Sequence, residues 1–211
     1  MGSAAALAPS DPDLDRLRQA AEGCQACDLW RDATQTVFGE GPRRARVLLV
    51  GEQPGEREDR DGHPFVGPAG RVLDEALEAA GIDRHDVYVT NAVKHFRFET
   101  RGKRRIHKRP SVEQVNACRP WLQAEIDVVA PEVVVCMGAT AAQALLGRDF
   151  RVSRQRGEFV STNGGPLITA TVHPSSVLRA PDESRAAEMQ AFVEDFAAVA
   201  ERLRLDDRPP G

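Results

Sequence analysis

The pattern of apolar and polar positions alternates between two periods along the chain. Four short apolar runs, rich in β-branched residues and closed by turn or polar residues, have the pattern of buried strands. They cover residues 45–52, 86–93, 132–138 and 166–174. Between and after the strands, apolar residues recur at helical spacing. These helical segments cover residues 69–81, 111–130 and 139–147 and a final stretch containing Met189, Phe192, Val193, Phe196, Val199 and Leu203.

Strands that alternate with helices predict an α/β fold with a mostly parallel sheet covered on both faces. The length of 211 residues suits one domain, so we expect a single-domain three-layer αβα sandwich. We place this domain at residues 11–205, after a flexible lead-in (1–10) and before a frayed C-terminus (206–211). No apolar run approaches the ~20 residues that cross a membrane, and the N-terminal segment lacks the features of a secretory signal. The expectation is a cytoplasmic monomer that binds no membrane.

The charge is unevenly distributed. The chain carries −4 overall, yet residues 94–109 hold eight basic residues and one acidic residue, which makes that segment +7 and the remainder −11. A basic patch on an acidic body confines polyanion binding to one face, although a solvated loop fits the charge equally well. His107 lies among these cations in the stretch GKRRIHK, and they should lower its pKa. A neutral imidazole can attack an electrophile, accept a proton or bind a metal.

Polar residues follow the ends of three predicted strands. Glu52 and Gln53 belong to the turn GEQPG after the first strand, Asn91 ends the second, and His173 follows the fourth. Because ligands of open α/β sheets bind beyond the carboxyl ends of the strands, these side chains should converge on one rim. The turn lacks the Lys-Ser/Thr of a phosphate-binding P-loop. A carboxylate with two amides favours recognition of a polar ring, with an incidental cluster as the alternative.

The cysteines indicate a metal more than a disulfide. Cys24 and Cys27 form a C-x-x-C pair far upstream of the first strand, which is not the position of a thioredoxin motif. Cys118 in a predicted helix and His95 after the second strand are candidate distant ligands. One close pair with two distant ligands suits an iron–sulfur cluster at least as well as zinc. Cys136 lies in an apolar strand and is predicted to be a small buried hydrophobe, with a reserve role as ligand.

Seven short motifs follow one another across about four-fifths of the chain: VFGEG, GEQPG, GHPFVGPAGRVLD, YVTNAVK, ACRPWL, GATAA and HPSS. In this order they resemble the iron–sulfur uracil-DNA glycosylases of family 4 within the uracil-DNA glycosylase superfamily. Two features depart from that pattern: His95 replaces a cysteine after VK, and residues 102–107 form an insertion. Both features, with Gln53, are similar to the X-type subfamily (UdgX), whose members cross-link themselves to uracil-containing DNA.

The resemblance implies a role for each matching residue. Phe65 would stack on an extruded uracil, and the amide of Asn91 would both donate to and accept from its O4/N3 edge. His173 would donate to uracil O2 as the base departs. Glu52 would stabilise an oxocarbenium-like sugar or activate a nucleophile. His107 would be that nucleophile.

The same resemblance implies which residues bind uracil, DNA and the metal cluster. Gln53 and its turn would join the uracil-binding group. DNA would be held by Lys103, Arg104, Arg105, Lys108 and Ser175. A [4Fe–4S] cluster would be held by Cys24, Cys27, His95 and Cys118.

The predicted function is therefore DNA repair, in a protein associated with the nucleoid when acting. It would excise uracil from single-stranded DNA or from a flipped base, and would then be covalently joined through His107 to the deoxyribose C1′ in one turnover. The first alternative is an ordinary multiple-turnover glycosylase whose basic segment only grips DNA. The second is a non-catalytic iron–sulfur module that binds nucleic acid.

Overall fold

A four-stranded parallel sheet forms the centre of the computed structural model, which describes residues 2–206 of the chain. Its strands, in spatial order, are β2 (Val87–Asn91), β1 (Val47–Gly51), β5 (Val133–Met137) and β6 (Leu167–Thr171). The register pairs Gly51 with Asn91 and Met137 with Thr171, so all four carboxyl ends lie along the same edge. The predicted α/β fold with a parallel sheet is confirmed.

Helices connect the strands and cover the sheet. They are α1 (Leu14–Glu22), α2 (Glu56–Asp61), α3 (Pro68–Ala80), α4 (Val112–Val129), α5 (Ala139–Leu146), α6 (Val152–Gln155), α7 (Pro174–Arg179) and α8 (Asp182–Asp206). The helices α3, α4 and α5 begin and end within one residue of the predicted bounds. Short 3₁₀ turns lie at Ala4–Leu7, Asp28–Arg31 and Arg84–Asp86. In the described part of the chain, no helix is long and apolar enough to span a membrane.

Alternation of side chains along each strand gives the sheet two apolar faces. On β1, Val47 and Leu49 face the cluster formed with α3, α7 and α8, whereas Leu48 and Val50 face the cluster formed with α4 and α5. The predicted apolar stripe of the last helix, from Met189 to Leu203, packs in the first of these clusters. These two helical layers around one sheet form the three-layer arrangement that the sequence predicts.

The centre of the basic segment is a β-hairpin and not the solvated loop that the charge pattern left open. The strands β3 (Phe98–Arg101) and β4 (Arg104–His107) pair antiparallel across a two-residue turn. Gly102 opens this turn at φ 61°, in the left-handed region that glycine adopts readily. Because His107 pairs with Phe98, it lies at the base of the hairpin, next to the body of the protein.

The beginning of the described chain is packed, where we expected a flexible lead-in. Ala4 is fully buried in an apolar cluster shared with α1 and α4, and the Gly2 amide donates to the Ala26 carbonyl at 3.0 Å. A small side chain at residue 4 allows this close packing. The predicted frayed C-terminus lies outside the described residues, except for Asp206 at the end of α8.

Candidate active site

The carboxyl edge of the sheet opens into a cleft of about 960 Å³. The residues predicted for catalysis and uracil binding all line it, together with one predicted DNA contact: Glu52, Gln53, Phe65, Asn91, His107, His173 and Ser175. The predicted convergence of polar residues on one rim is confirmed. Their chemical roles stay predictions.

Two glycines make room for an aromatic ring at the end of β1. Phe65 has φ 56°, a left-handed conformation that is strained for a bulky residue. A Cβ on Gly70 would lie 1.6 Å from the Phe65 carbonyl oxygen, and one on Gly51 would lie 2.7 Å from Phe65 Cζ and 2.3 Å from Asn91 Oδ1. The ring and the amide can therefore reach the strand end only because these positions lack side chains. The Phe65 ring also stacks near His173, with centroids 6.3 Å apart and planes inclined by 28°.

Glu58 joins the two loops that form this wall of the cleft. Its carboxylate accepts the Gly55 amide at 3.1 Å and the Gly67 amide at 2.8 Å. One side chain thus fixes the GEQPG turn relative to the loop that carries Phe65. Sequence reasoning missed this residue, because nothing in the local pattern of α2 distinguishes Glu58 from its acidic neighbours.

Asn91 is positioned by a buried ion pair. The Lys94 ammonium donates to the Asn91 carbonyl at 2.8 Å and pairs with Glu125, and both charged side chains are fully buried. Glu125 also accepts from Tyr88 and Thr90 at 3.0 and 2.9 Å. Lys94 therefore belongs to the interior and adds nothing to the basic surface, although the sequence counts it in the basic segment.

His173 is held in one tautomer. Its Nδ1 accepts the backbone amide of Ser175 at 3.2 Å, so the proton of the neutral ring resides on Nε2. Burial, with smaller effects from the charge of Arg179 and from His107, lowers the pKa of His173 to about 4. Near neutral pH this imidazole is consequently an uncharged hydrogen-bond donor. The predicted DNA residue Ser175 contributes here through its backbone.

His107 presents a lone pair next to a carboxylate. Its Nε2 lies 2.9 Å from the Gln53 amide nitrogen, which can only donate, so Nε2 is the acceptor. The same atom lies 3.7 Å from Glu52 Oε1, and the side chain is 51% exposed. Partial burial lowers the pKa of His107, Glu52 raises it, and Arg179 lowers it. The predicted direction is right, but the cause differs: burial ranks first, and the cation comes from α7 instead of the hairpin.

The other oxygen of Glu52 is fixed by two residues to which the sequence assigned no role. Thr140 donates its hydroxyl to Glu52 Oε2, and Arg109 Nε lies 3.8 Å from that oxygen. Arg109 Nε also donates to the Thr140 hydroxyl oxygen at 3.0 Å. Thr140 follows the glycine that ends the third predicted strand, and this position was the available signal. Leu178 and Arg179, on the rim, were missed as well.

Gln53 closes the base of the hairpin. Its amide nitrogen lies 3.1 Å from the carbonyl oxygens of Arg97 and Lys108, and its oxygen accepts the Arg97 amide at 3.1 Å. Counting His107, three acceptors surround an amide nitrogen that has two hydrogens. The Gln53 side chain is thus fully used by the hairpin, which differs from the predicted contact with uracil.

Arg105 anchors the hairpin to the body of the protein. Its guanidinium is 17% exposed and lies 2.6 Å from the fully buried carboxylate of Asp59. It also covers the rings of Phe96 and Phe98, at 5.5 and 4.9 Å from their centroids. Arg105 was predicted to bind DNA, but its charge is already paired inside the protein.

The remaining side chains predicted to bind DNA differ in whether their charge is already paired within the protein. Lys108 pairs with Glu99 at 2.7 Å. Lys103 and Arg104 are exposed at the hairpin turn, and within residues 2–206 neither forms an ion pair. These two side chains are free to meet a phosphate.

Three of the four predicted metal ligands share one buried apolar cluster. Cys24 accepts the Trp121 indole N–H at 3.2 Å, and Cys118 accepts the Lys94 amide at 3.3 Å. Burial raises the pKa of the Cys118 thiol to about 12, against the opposing effect of Lys94. Donors directed at sulfur suit metal-bound thiolates. Across residues 2–206, however, no three His, Cys, Asp or Glu side chains are arranged as a ligand set.

The tautomer of His95 also fits a ligand. The Thr36 hydroxyl gives its proton to the Ala21 carbonyl at 2.9 Å, so it accepts from His95 Nε2, which is also at 2.9 Å. This leaves a lone pair on Nδ1, and metal-binding histidines typically donate their other ring N–H in this way. The reserve ligand Cys136 lies in a separate cluster on the far face of α4. The donor chemistry therefore fits the predicted set better with His95 than with Cys136.

Comparison with known proteins assigns the chain that forms this cleft to a protein family. The sequence profile described as the uracil DNA glycosylase superfamily matches residues 38–197. The chain belongs to the uracil-DNA glycosylase superfamily.

Within the superfamily, the chain is similar to proteins named type-4 uracil-DNA glycosylase. The one from Thermotoga maritima is 40% identical over 157 residues, covering 74% of this chain and 78% of the relative. The one from Archaeoglobus fulgidus is 35% identical over 195 residues, covering 89% and 92%. A type-5 uracil-DNA glycosylase from Pyrobaculum aerophilum is 30% identical over 181 residues. The finer resemblance to the X-type subfamily stays a prediction.

Proposed function

We propose that the protein excises uracil from DNA and is then joined covalently to the sugar through His107. One observation carries this proposal: the His107 lone pair lies in the cleft that also holds Glu52, Phe65, Asn91 and His173. Type-4 relatives that cover most of the chain support the glycosylase part. The hairpin that brings His107 to the cleft supports the covalent part.

The cleft has the groups needed to hold an extruded uracil. Phe65 offers a stacking face, Asn91 a donor and an acceptor, and the neutral His173 an N–H for uracil O2. Leu178 is 38% exposed on the rim. An apolar side chain there would fill the gap that the base leaves in the stack.

The reaction follows from charges at the sugar. The bond between C1′ and uracil N1 breaks, its electron pair leaves with uracil, and His173 donates a hydrogen bond to the O2 of the departing anion. Glu52, held by Thr140, stabilises the positive charge that develops on the sugar. The Nε2 lone pair of His107 then bonds to C1′, and the resulting imidazolium releases its Nδ1 proton to water. Gln53 must give up its hydrogen bond to His107, and it retains the two backbone carbonyls as acceptors.

The buried thiols of Cys24, Cys27 and Cys118, which we call the thiol cluster, would hold an iron–sulfur group together with His95. When bound, such a cluster supplies a covalent link between chain segments that are distant in sequence. The residues around it order the N-terminal part of the chain against α4, and no step of the reaction requires it.

One observation favours the ordinary multiple-turnover alternative. The His107 lone pair is engaged by Gln53, and if that bond persisted, water would reach C1′ first. The products of the two reactions differ, so a gel assay separates them.

Incubation with uracil-containing single-stranded DNA tests the proposal. The expected product is a shifted band that survives denaturant, and in His107→Ala it should be replaced by free abasic DNA. Abasic DNA from the wild type would identify an ordinary glycosylase. Absence of both products would remove the glycosylase function and leave a binding module.

A further inference from the structure

A second cleft of about 710 Å³ adjoins the uracil cleft. The two share no lining residue but meet between Ala139, which lines the first, and Thr140, which lines the second. The charged residues that line the second cleft are Arg109, Arg119 and Arg148, with no carboxylate among its lining residues. The uracil cleft, by contrast, is lined by four carboxylates and three arginines. We call the second one the arginine cleft.

The floor of the arginine cleft includes apolar side chains beside the polar Ser111, Asn116 and Gln143. Val112, Val115 and Arg119 lie on one face of α4, at spacings of three and four residues. Val112 is 46% exposed there, opposite Leu145 and Leu146 of α5. From Val112 to Arg119 the helix rises about 10 Å. Successive phosphates of a strand rise ~3.4 Å along a duplex axis and lie farther apart through space, so this length accommodates about two phosphates.

The three arginines differ in whether their guanidinium groups already have hydrogen-bond partners within the protein. Within residues 2–206, the exposed side chains of Arg119 and Arg148 form no hydrogen bond or ion pair. Arg109, at the mouth, donates to Thr140, which in turn donates to Glu52. An anion on the exposed side of Arg109 would therefore hold this guanidinium against the pair that fixes the catalytic carboxylate.

We propose that the arginine cleft binds the sugar–phosphate backbone that flanks the extruded deoxyuridine, and that Arg109 links a bound phosphate to Glu52. The inference rests on the proposed function and deepens it by locating the strand. A nucleic-acid strand combines regularly spaced phosphates with apolar faces of sugars and bases. It thus matches the arginines and the valine–leucine floor together, whereas an acidic polypeptide matches the charge alone.

Binding of a fluorescent, uracil-free single strand of about 20 nucleotides, followed by anisotropy at several salt concentrations, tests the site. Each lost phosphate contact reduces the salt slope of single-strand binding by about 0.7, so Arg119→Gln with Arg148→Gln should reduce it by about 1.4. The matched control is Arg44→Gln with Arg204→Gln, which removes the same charge from the opposite edge of the sheet and should keep the slope nearer to wild type. Lysine at positions 119 and 148 should restore the slope.

The link to Glu52 has its own readout. With uracil-containing strand at saturation, the double glutamine variant should still release uracil several-fold more slowly than wild type, because the phosphate no longer positions Arg109. Full recovery at saturation would refute the link. A salt slope equal to that of the control pair, or equal displacement of the strand by polyglutamate of matched charge, would refute the strand site. A wild type that binds DNA but releases no uracil would instead refute the proposed function, while the slope would still test the cleft.

Discussion

At the scale of single residues, the site depends on two neutral imidazoles, of which one donates a hydrogen bond and the other presents a lone pair. His173 has its proton on Nε2 and can donate, whereas His107 has its lone pair on Nε2 and can attack. Backbone and amide neighbours select each tautomer, and burial keeps both rings uncharged near neutral pH. The same residue type thus serves as donor and nucleophile in one cleft.

Cross-linking should depend on pH in a predictable direction. The reaction needs neutral His107, whose pKa is lowered below the ordinary value of about 6.5 by burial and Arg179 against the opposing effect of Glu52. The single-turnover rate should therefore change little from about pH 8 to 7, and the midpoint of its decline should lie below pH 6.5, as the ring protonates. His173, with its pKa at about 4, stays neutral over this range. Quenched time courses on denaturing gels measure the rate, and a decline that begins above pH 7 would contradict the assignment.

At the scale of elements, the hairpin of β3 and β4 is the feature that would turn a glycosylase into a covalent trap. It is held at one point by Arg105 on the buried Asp59 and at its base by Gln53. The exposed Lys103 and Arg104 lie at its turn. Anchoring and DNA contact are therefore divided between neighbouring basic residues.

Two adjacent arginines should give different phenotypes. Arg105→Gln removes a charged hydrogen bond worth about 1.5–3 kcal/mol, so the covalent fraction should fall roughly ten- to a hundred-fold while uracil is still released as abasic DNA. Arg104→Gln should reduce the salt slope of strand binding by about 0.7 and leave the product covalent. Gel quantification of covalent and abasic products measures both variants. If Arg105→Gln kept the wild-type product ratio, the anchor would have no role in placing His107.

Sequence patterns predicted the elements that carry a regular apolar repeat. Apolar periodicity predicts the strands β1, β2, β5 and β6 and the helices α3, α4 and α5. The ends of the predicted strands then located Glu52, Asn91 and His173. The hairpin was missed because its strands are short, largely exposed and highly charged, without the apolar run that marks the other strands. Its anchor joins residues 46 apart, Arg105 and Asp59. The contact between Thr140 and Glu52 spans 88 residues. Such contacts exist only after the sheet has brought its strand ends together.

At the scale of the whole molecule, the parallel sheet places the residues of the uracil cleft at one edge. The arginine cleft meets the uracil cleft at Thr140, and the thiol cluster lies beside α4, which also lines the arginine cleft. Lys94 connects these regions: its amide donates to Cys118 and its ammonium to the Asn91 carbonyl. Damage to the thiol cluster should therefore affect the position of Asn91.

The cysteines provide a test of the metal at this scale. The purified protein should be brown and contain iron, because Cys24, Cys27, Cys118 and His95 have donor chemistry that fits a cluster. Cys118→Ser should lose colour and iron or become insoluble, whereas Cys136→Ser should retain both. Visible absorbance and iron content are the measurements. Stoichiometric zinc in a colourless protein, or bleaching by Cys136→Ser alone, would overturn the ligand set.

The most direct test of the central claim is the identity of the residue that carries the sugar. Wild-type protein incubated with uracil-containing single-stranded DNA can be digested with nuclease and protease, and the adduct located by fragment-ion mass spectrometry. The account predicts a deoxyribose adduct on His107, in the peptide that follows Arg105. An adduct on any other residue, or an undiminished covalent product in His107→Ala, would contradict it.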